Sequence, residues 1–254
     1  MSSLSSLSPG FLPSALFQPP SAHPAIPLQG DPGCVALERS GELLVGDAYS
    51  GAIFRIQGDF QKRIATIDSG GVVANDRLGG IVVAPDGTLY AARIGHGQAG
   101  AIFRITADGR TEALPNVPAK MWRGALAHNG THLYATQYMR SRSGAFDGSI
   151  VEVDEDGTCS NVLDGFLHPT GLVAIGSQLV IADARQRAVF KVSLSGGRGV
   201  FRLQLAADVD RPDSICACGN DAVLLTSFDD QDGLGKLRRI GLDGTSKVIA
   251  QGPW

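Results

Sequence analysis

Five copies of one four-strand pattern constrain the fold of this chain more than any other feature of its sequence. Each copy contains an apolar strand, a pair of turn residues, a second apolar strand and a third strand in which apolar and charged residues alternate. Consecutive copies start 43 to 47 residues apart, near positions 33, 80, 124, 171 and 214. Repeats of this length, built from short strands, are typical of β-propeller blades.

The second copy shows the pattern most plainly. Gly80–Ala84 is followed by the turn Asp86-Gly87, then by Leu89–Arg93 and by Ala101–Ile105. Asp-Gly or Gly-Gly pairs follow the third strand of the later copies, and such pairs tolerate the positive φ of tight hairpins. A fourth strand comes next, as at Lys247–Ala250. The sequence therefore predicts an all-β protein, a β-propeller of four-stranded antiparallel blades.

The number of blades and the use of the N-terminus are less constrained. Five repeats favour five blades, and a sixth blade that is missing or built irregularly stays possible. Residues 1–30 are rich in Ser and Pro and carry no Lys, Arg, Asp or Glu. We interpret 1–30 as a leader, with Ala22–Leu28 as a possible closing strand, and 31–254 as a single propeller domain.

Composition narrows the class of protein. The net charge of −3 gives no basic field for nucleic acid or an anionic membrane, and no apolar run approaches the roughly 20 residues that cross a bilayer. The four cysteines form no CxxC pair, so we expect reduced cysteines in the core. These features predict a soluble, cytoplasmic protein and leave the oligomeric state open. The prediction of a small-molecule substrate as its partner rests instead on the resemblance described next.

Two blade junctions carry a resemblance to a known family. Phe166–Val173 and Arg211–Cys216 resemble the blade starts of the senescence-marker-protein/gluconolactonase (regucalcin-like) family, within the strictosidine-synthase-like and NHL-repeat propellers. The resemblance spans about residues 30 to 250. It implies a lactonase in which residues just before the blade-opening glycines hold one divalent metal at the central channel, where the metal polarises the lactone carbonyl.

The five positions that the resemblance assigns to the channel are Pro32, Gly79, Arg123, Thr170 and Asp213. Only Asp213 matches the family's ligands, so the resemblance makes Asp213 catalytic and a possible ligand of calcium or a similar divalent metal. No cofactor is certain. A cation such as Arg123 can take the metal's part by stabilising an oxyanion. Thr170 and the neighbouring His168, a possible base, complete the predicted catalytic set.

Loops between the second and third strands should open at the channel mouth, where function tends to reside. They contain the predicted substrate-binding residues His96, Tyr49, Tyr138, Arg140 and Asp183. Clustered carboxylates at Asp229, Asp230 and Asp232 offer a second possible calcium site. The GxGxxG match at 95–100 lies between two strands and lacks the helix that dinucleotide binding requires.

Three functions remain open at this stage. The first is a hydrolase of lactones or of other small oxygenated carbonyl compounds, with or without a metal. The second is a metal-free isomerase, cyclase or lyase that uses acid–base groups alone. The third is a non-catalytic propeller that binds a protein or a small ligand through its loop face. An enzyme would be favoured if the four predicted catalytic side chains converged around an open pocket, namely Asp213, Thr170, Arg123 and His168.

Overall fold

A computed structural model describes residues 30–68 and 78–253 of the chain. These residues form five four-stranded antiparallel sheets, one for each predicted repeat, arranged as a five-bladed β-propeller. The predicted fold class and the preference for five blades are confirmed. The proposed closing strand Ala22–Leu28 lies outside the described residues.

In every blade the strands pair in chain order, and the first strand lies next to the channel. Blade one contains β1 Pro32–Leu37, β2 Leu43–Asp47, β3 Ala52–Gln57 and β4 Phe60–Thr66. Blade two contains β5 Leu78–Val83, β6 Leu89–Arg93, β7 Ala101–Ile105 and β8 Thr111–Ala113. Between β6 and β7 lies a single 3₁₀ turn, Gly95–Gly97, where the GxGxxG match falls.

The remaining blades have longer strands. Blade three contains β9 Trp122–His128, β10 Leu133–Arg140, β11 Phe146–Val153 and β12 Cys159–Phe166. Blade four contains β13 Pro169–Ile175, β14 Gln178–Asp183, β15 Ala188–Ser195 and β16 Arg198–Ala206. Blade five contains β17 Pro212–Cys218, β18 Ala222–Asp229, β19 Leu234–Gly241 and β20 Ser246–Pro253. Its fourth strand is therefore formed by the C-terminal part of the described chain. No helix in the described part of the chain is long and apolar enough to cross a membrane.

Hydrophobic clusters pack the junctions between successive blades. One cluster joins blades one and two through residues such as Leu44 and Phe103. Similar clusters join blades two and three, three and four, and, through Val180 and Leu225, four and five. Within residues 30–68 and 78–253, no cluster joins blade five to blade one. Four of the five junctions of the ring therefore have a core built from described residues.

The cysteines follow this uneven packing. Cys34 packs against the cluster between blades one and two, and burial raises the pKa of its thiol to about 12. Cys159 packs against the cluster between blades two and three. Cys216 is exposed, and this contradicts the prediction of a core cysteine. The prediction failed because it assumed that a neighbouring blade covers both faces of β17.

Each innermost strand carries one extra residue near its start, a β-bulge that re-aims side chains. Residues at or near the ends of the second strands pair with the innermost strands: Asp47 with Pro32, Arg93 with Leu78, Gln137 with Arg123, Asp183 with Pro169 and Ser227 with Pro212. The residues that directly follow these pairs, and that lie in the bulges, are Gly33, Gly79, Gly124, Thr170 and Asp213. All five line the channel cavity, so they form the equivalent positions of the ring.

This register corrects the sequence-based alignment of two blades. The sequence predicts Pro32 and Arg123 at the channel, and both line the cavity, but the pairing places the bulge one residue later, at Gly33 and Gly124. In blades one and three the blade-opening glycine is itself the first bulge residue. In blades two and four it comes one residue later. Because side chains alternate along a strand, this difference of one residue decides which of them can face the channel.

Asp47, at the end of β2, fixes the entry of the chain into blade one. Its carboxylate accepts hydrogen bonds from the backbone N–H groups of Asp31, Tyr49 and Ser50 at 3.0, 2.9 and 2.7 Å. Burial opposes ionisation of Asp47, but the N–H donors outweigh it and lower the pKa of this carboxyl. A folded-state pKa below the unfolded value of about 3.9 stabilises the protein above that pH, and the contribution is lost as the pH falls through the folded value.

We therefore expect Asp47→Asn to destabilise the protein most near neutral pH. The difference in the free energy of unfolding between the variant and the wild type should shrink as the pH falls below about 4. The check is urea unfolding of both proteins at a series of pH values, with the exposed Asp59→Asn as control. A difference in the free energy of unfolding that stays constant over the whole pH series would contradict a stabilising role for the ionised Asp47 carboxylate.

Candidate active site at the channel mouth

The channel opens into a cavity of about 380 Å³ to which all five blades contribute. Its lining includes the five bulge residues together with Tyr138 and His168. A larger cavity of about 760 Å³ lies between the loops of blades four and five and shares His168, Thr170 and Asp213 with the first. Three of the four residues predicted as catalytic therefore line both cavities, and the mouth is open.

Asp213 stands in the bulge of β17 and projects into solvent within the cavity. Its carboxylate has no hydrogen-bond or ion-pair partner among the described residues. Enclosure by the surrounding blades raises the pKa of Asp213, and the opposing attraction of Arg211 and His168 does not cancel this effect. The free oxygens of Asp213 are thus available to a ligand.

His168 precedes β13, and its backbone N–H donates to Asp183 at 3.1 Å. The imidazole packs beside two aromatic rings that also contact each other, with its centroid 4.4 Å from that of Tyr138 and 5.6 Å from that of Phe146. Burial lowers the pKa of His168, and the nearby carboxylates of Asp183 and Asp213 work against this shift. The environment thus favours the neutral imidazole, the form that accepts a proton.

An aromatic wall extends from His168 over blades three and two. Tyr138 is buried, contacts Trp122 at 5.3 Å between centroids, and has its pKa raised to about 12 by desolvation. Trp122 in turn meets His96 edge-on at 4.6 Å. The wall gives one side of the channel mouth an apolar face on which a ring can stack.

Arg123 and Thr170 are bound to the scaffold. The guanidinium of Arg123 is fully buried and donates to the Gln137 side chain at 2.9 Å and to the Pro118 carbonyl at 3.3 Å. The Thr170 hydroxyl donates to the Pro212 carbonyl at 2.8 Å, across the junction of blades four and five. Both residues contribute to the cavity lining. The Thr170 hydroxyl and the two terminal nitrogens of Arg123 have partners in the protein, whereas the buried Nε of Arg123 has none among the described residues.

The predicted substrate-binding residues divide into two groups. Tyr138 lines the cavity, and His96 belongs to the aromatic wall. Tyr49 is exposed in the turn after β2, and Arg140 is exposed at the end of β10, 5.7 Å above the Phe146 ring; neither belongs to the lining of the two cavities. Asp183 is completely buried and binds backbone N–H groups, so it positions the loops of blade four.

No family model matches the sequence, and no curated protein matches it. Solved structures do. A luciferin-regenerating enzyme superposes with a TM-score of 0.67 at 12% identity, over 88% of this chain and 76% of that one. A regucalcin from Agrobacterium tumefaciens, described as calcium-binding, gives 0.65 at 12% over 88% and 74%. A gluconolactonase from Xanthomonas campestris gives 0.60 at 17% over 84% of each chain.

This chain is a β-propeller similar in fold to these three proteins. At 12 to 17% identity the likeness establishes the fold alone, because one scaffold hosts many chemistries. The chemistry of this propeller therefore depends on the residues of its own cavity.

The channel ring does not fit a divalent metal. Calcium takes six or more oxygen ligands, whereas the ring offers one carboxylate, one engaged hydroxyl and three glycines, and the rest of the cavity lining adds only one further carboxylate, that of Asp31. A side chain could not be added at the glycines, since a Cβ on Gly33 would lie 2.8 Å from the Cβ of Ala48. The described residues also contain no group of three or more His, Cys, Asp or Glu side chains that could hold a metal ion.

The second calcium candidate is occupied by cations of the protein itself. Lys236 forms ion pairs with Asp229 and Asp232, and Arg211 pairs with Asp230 at 2.7 Å. Each carboxylate of the cluster therefore has a positively charged partner. These ion pairs stabilise the loop between β18 and β19.

Sequence reasoning missed the cations at the cavity rim. Arg185, Arg187 and Arg211 all line the larger cavity, and Arg187 is paired with Asp210 at 2.6 Å. Arg185 packs its guanidinium over the Phe146 ring at 4.4 Å and has no acidic partner among the described contacts. The available signal was the position of Arg185 two residues after the second strand of blade four, but the loop is short and short loops were not expected to contribute to the site.

Proposed function

We propose that the chain is an enzyme that acts on a small oxygenated carbonyl compound at the channel mouth, with lactone hydrolysis as the simplest reaction, and that it works without a metal. The observation that carries this proposal is the placement of His168 and Asp213 on one open cavity. Their environments shift the two pKa values in opposite directions, as in many acid–base pairs of active sites.

In the proposed reaction, His168 is the general base. Neutral imidazole takes a proton from water as the water oxygen attacks the lactone carbonyl. The carboxylate of Asp213 stabilises the imidazolium that forms. When the tetrahedral intermediate collapses, the ring C–O bond breaks and the imidazolium returns the proton to the departing oxygen, so the product is a hydroxy acid.

Arg185 supplies the positive charge on the substrate side. Its guanidinium is held over Phe146 at the rim of the cavity, where it can attract the developing oxyanion or the product carboxylate. Tyr138 forms the wall against which the substrate ring rests. Arg123 and Thr170 hold the blade junctions under the site.

The same groups support a second reaction class. A base and a carboxyl group on one cavity can move a proton from a carbon next to a carbonyl, as an isomerase or a lyase does. The donor set of the channel favours such metal-free chemistry over metal-assisted hydrolysis. Turnover of a lactone separates the two classes.

We expect the purified full chain to hydrolyse one or more small lactones, and we expect EDTA to leave the rate unchanged. The measurement is proton release at constant pH over a panel of sugar lactones and simple lactones, with and without chelator, followed by addition of calcium, magnesium, manganese or zinc. Loss of turnover in EDTA and its return with one of these metals would refute the metal-free mechanism. Saturable ligand binding without turnover of any compound would indicate the binding propeller.

A further inference from the structure

The junction between blades five and one has apolar surfaces on both sides. On blade one, Val35 and Leu37 are 61% and 67% exposed, because neighbouring residues of β1 point to blade two and these point away from it. On blade five, Cys216 is exposed, and Leu224 pairs with it across the sheet on the face opposite to the cluster shared with blade four. We call these two surfaces, one on blade one and one on blade five, the open junction.

At the other four junctions, apolar surfaces of this kind are buried against the neighbouring blade. The corresponding faces of blades one to five bury Leu, Ile, Val and Phe side chains in continuous clusters. In the open junction the same kind of surface has no partner among the described residues. Leaving apolar area in water costs roughly 25 cal/mol per Å², so a covering element would stabilise the ring.

The N-terminal segment 1–29 has the composition of such an element. It carries no Lys, Arg, Asp or Glu. Its larger apolar side chains are Leu4, Leu7, Phe11, Leu12, Leu16, Phe17, Ile26 and Leu28. A six-residue strand spans about 20 Å, so the segment is long enough to cross a blade face more than once.

The point of attachment also favours this segment. Residue 30 leads directly into β1, and the backbone N–H of Asp31 is anchored on the buried carboxylate of Asp47 at 3.0 Å. Gly30 has φ +115° and passes so close to Asp47 that no Cβ would fit. The segment is therefore tethered at the inner edge of blade one, next to the open junction.

We propose that residues 1–29 dock into the open junction and supply the fifth inter-blade core of the ring. The occupant is this segment of the same chain and not a second copy of the protein.

A matched pair of substitutions in the full chain tests the proposal. Val35 and Val200 are equally exposed, at 61% and 62%, but Val200 lies on β16, the outer strand of blade four. If residues 1–29 cover Val35, Val35→Glu buries an unpaired charge and should lower Tm by about 5 °C or more, whereas Val200→Glu should leave Tm nearly unchanged. Equal effects of the two variants would overturn the proposal.

Digestion and mass measurements identify the occupant. Residues 1–29 contain chymotrypsin sites at Phe11 and Phe17, which we expect to be cut slowly in the wild type and at least tenfold faster in Val35→Glu. Cleavage of the wild type as fast as a free peptide of residues 1–29 would refute docking. Sedimentation should give the mass of one chain for both proteins. A wild-type dimer that Val35→Glu converts to monomers would assign the junction to a second copy instead.

Discussion

Replacing His168 with Gln is expected to lower kcat/KM for the lactone substrate by about two to four orders of magnitude, the usual contribution of a general base. Gln keeps a polar side chain of similar length between Tyr138 and Phe146 but accepts no proton near neutral pH. The measurement is the same proton-release assay at substrate concentrations around KM. His132→Gln is the matched control, because His132 pairs with Glu152 at 2.7 Å near the β9–β10 turn and lines neither cavity of the proposed site.

The pH profile separates a catalytic His168 from a structural one. The base has to be neutral, so kcat/KM should rise with pH and level off above the pKa of His168. Because burial lowers that pKa, the midpoint should lie below the ordinary histidine value of about 6.5. An unchanged profile in His168→Gln, or activity within about threefold of wild type, would remove His168 from the mechanism.

The fold could be predicted because its information is local and repeated. Each blade carries its own apolar alternation and its own turn residues, so five weak signals at one spacing reinforce each other. The turn glycines Gly87, Gly109, Gly157 and Gly244 adopt the positive φ that their Asp-Gly pairs indicate. The open junction could not be predicted, since a repeat count does not say whether the last blade meets the first.

The site was predictable only where the register could be inferred from the sequence. Asp213 and Thr170 lie at the channel because a bulge directly follows Pro212 and Pro169. In blade three the residue before the blade-opening glycine is Arg123, which lines the cavity, but the bulge begins one residue later, at Gly124. Bulges arise from strand pairing, which a single sequence does not display, and a one-residue error exchanges a glycine for a buried guanidinium.

The role of Asp183 illustrates a further limit of sequence reasoning. A carboxylate at the end of a strand beside the channel resembles a ligand-binding group, and the prediction placed it in contact with substrate. Its oxygens instead accept the backbone N–H groups of Leu167 at 2.7 Å and His168 at 3.1 Å, before β13, and of Arg185 at 3.0 Å and Gln186 at 3.0 Å, after β14. Asp183 therefore holds together the two loops that present His168 and Arg185 to the cavity.

Asp183→Ala is expected to be the most destabilising single substitution near the site, with a loss of about 3 kcal/mol or more in the free energy of unfolding. The variant leaves four backbone donors without their acceptor, and an unsatisfied buried donor costs about 1–3 kcal/mol. Urea unfolding measures the loss, and Asp59→Ala, at an exposed turn, controls for the change of charge. Asp47→Ala, which frees three N–H groups in blade one, should lose less.

Activity measured at a temperature where Asp183→Ala is folded then tests its positioning role. If Asp183 only stabilises the scaffold, the folded variant should keep the wild-type kcat and pH profile. If it orients His168, kcat should fall while the acid midpoint of the profile moves, because the Asp183 charge raises the pKa of that imidazole and its removal lets burial lower the midpoint further. A stable, fully active Asp183→Ala protein would refute both roles and the geometry on which the proposed base depends.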